Sequence, residues 1–90
     1  MELRPEVQSF GEAMEAQLRA NDHKGGWAYM TFSYLLRRLR EEVDELEQAV
    51  KYAAPNYEIV VKEAADVGNF AMFIADSAAT WKRDMTKEGG

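Results

Sequence analysis

Glu63-Ala64-Ala65-Asp66-Val67-Gly68-Asn69-Phe70-Ala71-Met72-Phe73-Ile74-Ala75 is the stretch on which the reading of this chain turns. From Ala64 to Ala75 only Asp66, Gly68 and Asn69 are neither apolar nor aromatic. A helix that is apolar almost all round is a buried helix, so this segment belongs in a core. The helix is expected from Tyr57 to Trp81 or Asp84, after a break at Pro55, with Asn56 as a fair N-cap. The residues Thr86-Lys87-Glu88-Gly89-Gly90 read as a disordered tail.

Working upstream, a second helix is expected over Thr31–Ala53, capped by Thr31 or Ser33 and free of Gly and Pro. Leu39, Val43, Leu46, Val50 and Ala53 follow a four-three spacing that Leu35 and Leu36 extend. Such a segment is a rod of roughly 35 Å at ~1.5 Å per residue, which suits a bundle better than a compact globule. A first helix is expected over Glu6–Ala20, with Val7, Phe10, Met14 and Leu18 at helical spacing and Pro5 at its start. Asn21-Asp22 and Gly25-Gly26 close it and open a loop. The fold class is therefore all-α: one domain over residues 1–90, a helical hairpin plus an N-terminal helix. Phe70, Met72, Phe73 and Ile74 surround the third helix and cannot all face one neighbour within so short a chain. A homodimer or tetramer of the four-helix-bundle type would cover them.

Composition narrows the chemistry. Cysteine is absent and His23 is the lone histidine, so thiolate and histidine-built metal sites are set aside and any metal is bound by oxygen. Sixteen acidic residues against 11 basic ones give a net charge of −5, which argues against a binder of duplex nucleic acid. The start, Met1-Glu2-Leu3-Arg4-Pro5-Glu6, has no signal-peptide core, and no run approaches the roughly 20 apolar residues of a membrane span. A cytoplasmic location is the expectation.

Two acidic pairs carry the functional reading. Glu42 and Glu45 lie three apart on the second helix, and Glu63 and Asp66 three apart on the third, so each pair points one way. Glu42 falls at the edge of the apolar stripe and Glu45 further out on the same side; alone, they fit a solvated flank equally well. Asp66 is harder to place there, because a carboxylate in an apolar helix must be protonated, paired or metal-bound. A buried pair with lysine or arginine is the plain alternative. Gly68 costs about 1 kcal/mol in a helix interior. A close helix–helix contact is its plainer explanation, and room for a ligand the other.

Glu42-x-x-Glu45, 17 residues, then Glu63-x-x-Asp66 is similar to the motif of the all-α NTP pyrophosphatase superfamily. The runs from Tyr34 to Glu47 and from Glu63 to Phe70 resemble its MazG-like branch, and the likeness spans about residues 20 to 80. The resemblance implies magnesium-dependent cleavage of a nucleoside triphosphate between its α- and β-phosphates, giving the monophosphate and pyrophosphate, in the service of nucleotide-pool cleansing. It implies Glu42, Glu45, Glu63 and Asp66 as ligands of Mg2+, for which Mn2+ can substitute. Hard oxygen donors suit both ions. One of these carboxylates, or Glu41, would accept the proton of the attacking water. Asn69 is a candidate contact to sugar or phosphate, against a polar contact within the bundle. In the loop, Lys24 suits phosphate and Trp27 offers a face to a base, though a tryptophan there is as readily an anchor. The alternatives are phosphoribosyl-ATP pyrophosphatase, a relative with a similar site, and a non-catalytic helical dimerisation module. A di-iron carboxylate bundle would need Glu-x-x-His motifs that this chain lacks.

Overall fold

The computed structural model describes residues 1–89, with side chains as far as Trp81. Among these the chain forms three α-helices and no strand: α1 (Pro5–Ala20), α2 (Phe32–Tyr52) and α3 (Tyr57–Gly89), with a short 3-10 turn at Asp22–Lys24. Pro5 occupies the first turn of α1, where no intrahelical donor is needed. The Thr31 hydroxyl caps α2 by accepting from the Tyr34 N–H at 3.1 Å. Gly25 has φ 87°, a left-handed conformation that only glycine takes easily, and it turns the chain out of the 3-10 segment. α3 extends past Asp84 through the Thr86–Gly89 stretch expected to be a tail; no glycine or proline stands between Asp84 and Gly89. Gly90 lies outside the described residues.

α2 and α3 pack along each other as a hairpin across the turn Ala53–Asn56, and α1 lies against α3. The centre is formed by Leu35 and Ala49 from α2 with Ala65 and Phe73 from α3. The apolar stripe of α2 divides in two. Leu35, Leu39, Leu46, Ala49 and Ala53 are buried or half-buried, whereas Leu36, Val43 and Val50 stay exposed, the last two at 46% and 60%. The molecule measures 55 × 32 × 23 Å with a radius of gyration of 15.3 Å, against about 12 Å for a compact chain of this length. Its accessible surface is 7144 Å², where a compact monomer of this mass exposes roughly 5,400 Å².

Gly68 marks the crossing of α1 and α3. A Cβ there would stand 2.9 Å from Phe10 Cε2, 3.1 Å from Phe10 Cζ and 3.3 Å from Met14 Sδ. The close helix contact accounts for the glycine. Gly68→Ala should change stability by less than about 1 kcal/mol, since the end of the exposed Phe10 ring can give way while helix propensity improves. Gly68→Leu has no such outlet and should cost about 1–3 kcal/mol in urea unfolding. A leucine variant as stable as the parent would mean that α1 is not packed here.

Candidate metal centre

Four carboxylates from the hairpin meet in a cleft of about 850 Å³ that Arg38, Lys62 and Asn69 also line. Oxygens of Glu42, Glu45 and Glu63 lie within 4.8 Å of one another, so the structure brings three of the four expected ligands into one cluster. Asp66 lines the same cleft outside that trio and is half-buried rather than enclosed. It has no ion pair among the described residues; Lys62, one turn earlier, supplies an opposing charge. The pattern of burial follows from helix phase. Glu42, at the edge of the apolar stripe, is 6% exposed, Glu63 is half-buried, and Glu45 opens to solvent.

Glu42 is the centre of the electrostatics. Its Oε1 accepts from Arg38 Nη2 at 2.9 Å, while its Oε2 is buried without a partner. Burial pushes its pKa up to about 7, helped by the neighbouring Glu45 carboxyl group and the charge of Asp66, and opposed by Arg38. Burial also raises Glu63, whose Oε2 is likewise buried and unpartnered, with Asp66 and Glu45 adding to the effect. Asp66 is raised by burial too, against the pull of Lys62. A buried carboxylate oxygen with no donor is costly unless something outside the chain satisfies it. Two such oxygens, in a trio of hard donors, fit a small divalent cation.

The remaining expected residues divide. Asn69 is 4% exposed; its Nδ2 donates to the Met14 carbonyl at 3.0 Å, tying α3 to α1, and its Oδ1 is buried without a partner. Lys24 is exposed at the margin of the cleft. Trp27 is an anchor: its indole N–H donates to Asp76 at 3.0 Å and one face stacks on Phe73, ring centres 4.4 Å apart. It also forms part of the wall between the carboxylate cleft and a neighbouring apolar cavity of about 690 Å³ reaching Phe32 and Trp81. Glu41 is engaged with Arg38 Nη1 at 2.6 Å and is absent from the cleft lining.

Arg38 and Asp76 also make defining contacts here, although neither is among the residues expected at the site from the sequence. Arg38 stands three and four residues before Glu41 and Glu42, a spacing that pairs charges on a helix, so its signal was present. Asp76 meets Trp27 across 49 residues, and no local pattern announces that contact. Comparison with models of protein families, with curated proteins and with solved structures returned no match.

Proposed function

We propose that this chain is a magnesium-dependent nucleoside triphosphate pyrophosphohydrolase of the MazG-like type, cleaving (d)NTP to (d)NMP and pyrophosphate in the cytoplasmic nucleotide pool. The observation that carries the reading is Glu42: a carboxylate over nine-tenths buried, with Oε2 unpartnered, placed beside the oxygens of Glu45 and Glu63. Packing alone gives no reason to bury that charge, and an apolar residue there would be as stable or more so. Glu42, Glu45 and Glu63 would hold the cation, with Asp66 beside them. Magnesium, when bound, supplies charge neutralisation at the phosphates and lowers the pKa of water.

The chain's own groups supply the rest. Arg38, Lys62 and Lys24 face the cleft and balance the charge of a polyphosphate. Trp27, stacked on Phe73 by one face, lines the same cleft and would offer its other face to a base. A carboxylate of the cleft that is not engaged by the cation, such as Asp66, would take the proton of the attacking water. Assembly as a homodimer or tetramer is part of the proposal. Leu36, Val43 and Val50 recur every seventh residue along the open side of α2, and a second copy seated there would reduce the surplus of surface.

The test is release of pyrophosphate from a panel of dNTPs and NTPs, with magnesium and with chelator. We expect magnesium-dependent release with the monophosphate as the other product. Orthophosphate and a diphosphate as products would reject cleavage between the α- and β-phosphates. No turnover of any nucleotide, phosphoribosyl-ATP included, would leave the fold as a dimerisation module.

A further inference from the structure

We infer that Arg38 is a triphosphate-binding residue held in reserve: it pairs with Glu42 in the free protein and passes to a phosphate oxygen when a cation takes Glu42. The inference rests on the reading of the carboxylate cluster as a cation site, and adds a residue that the motif does not contain.

The geometry around Arg38 has three parts. Nη1 is bound to Glu41 at 2.6 Å, Nη2 to Glu42 Oε1 at 2.9 Å, and the guanidinium lies over the Phe70 ring, 4.9 Å from its centre. Two of these contacts have no stake in the metal centre. Glu41 is half exposed and outside the cleft lining, and Phe70 is an aromatic of the cleft wall. They hold the guanidinium from two sides, with Nη2 left at Glu42 in the cleft. The third contact is to the buried carboxylate that a cation would claim. A divalent ion on the unpartnered Oε2 draws the charge of the carboxylate and repels the guanidinium, so it loosens Arg38 from Oε1. The freed Nη2 then remains in the cleft, on a side chain still held by Glu41 and Phe70. A planar guanidinium is the side chain best matched to phosphate oxygens. Arg38 is also the one basic side chain of this cleft that is tied on both edges; Lys24 and Lys62 make no ion pair among the described residues.

The exchange makes a prediction of opposite signs. Removing Arg38 takes away the competitor for Glu42, so the cation alone should bind more tightly. It also takes away a phosphate contact, so a polyphosphate should bind more weakly in the presence of the cation. The experiment is calorimetric titration of the purified protein with Mg2+ alone, and then with inorganic triphosphate at saturating Mg2+, for wild type, Arg38→Gln and Arg38→Lys. For Arg38→Gln we expect Mg2+ affinity to rise about threefold or more and triphosphate affinity to fall about tenfold. Arg38→Lys keeps a point charge without the fork, and should stay close to wild type for Mg2+ while losing part of the triphosphate affinity. Parallel weakening of both ligands would make Arg38 a structural residue and overturn the inference, as would triphosphate binding unchanged in both variants. Wild type that takes up no Mg2+ would remove the metal reading itself, and the inference with it. Circular dichroism of each variant separates these outcomes from misfolding, and Arg38→Lys carries the test if Arg38→Gln does not fold.

Discussion

Glu42→Gln is expected to abolish the reaction and, in the absence of metal, to stabilise the fold. Glutamine keeps the shape of the side chain, and its carbonyl can still accept from Arg38 in place of Oε1. Its amide adds a donor where the parent has an unpartnered oxygen and like charges from Glu45 and Asp66. A buried carboxylate whose pKa has risen to about 7 is disfavoured in its ionised form at higher pH. Relief of that cost should contribute on the order of 2 kcal/mol at about pH 8. Pyrophosphate release should fall at least about a hundredfold, because the electrostatic centre of the site is gone. A thermal melt and an activity assay on one preparation report both effects. Loss of activity through simple unfolding predicts a lower melting temperature, and a structural glutamate predicts unchanged activity. A gain in stability with a loss of activity is the signature of a residue retained for function.

The second large effect is an inverted dependence on pH, reversed by magnesium. Glu42, Glu63 and Asp66 all have pKa values raised by burial in the folded state. A carboxylate with a raised folded pKa holds its proton at pH values where the unfolded chain has lost it. The folded state then binds more protons, so stability falls as pH rises. For Glu42 this window runs from the ordinary glutamate value of 4.5 to about 7. The contribution is fully present below the lower limit, lost progressively through the window and absent above it. Magnesium replaces the protons, and at a hundred times its dissociation constant it would restore about 2.7 kcal/mol. Melts of the metal-free protein from about pH 5 to about pH 8 should therefore show decreasing stability, and magnesium should raise the melting temperature at the upper end far more than at the lower. Metal-free stability that climbs across this range would show that these carboxylates are satisfied within the chain.

The fold was largely legible because its signals are local. Pro5, Thr31 and Pro55 punctuate the helices where expected, whereas the run Ala64–Ala75, expected to be buried, is so only at Ala65, Asn69 and Phe73, with Ala71 and Ala75 exposed. What escaped was governed by tertiary phase. The stripe on α2 looks continuous from Leu35 to Ala53, yet Val43 and Val50 sit on its open side, because one neighbouring helix covers less than the full apolar arc. The same phase decides the site. Glu42 lies just inside the covered edge and is the more deeply buried carboxylate, whereas Asp66, singled out for its apolar surroundings in sequence, faces the cleft and keeps part of its solvent. The Asn69 contact to Met14 and the Trp27 contact to Asp76 span 55 and 49 residues, and no periodicity can report them.

Everything proposed for this cleft depends on Glu42, Glu45 and Glu63 holding a divalent cation. Titration of the protein with Mn2+, followed by electron paramagnetic resonance of the free ion, tests this without reference to any substrate. We expect saturable uptake in the wild type that is lost in Glu42→Gln and Glu63→Gln and that Mg2+ displaces. Wild type and both variants leaving the same amount of Mn2+ free would contradict it.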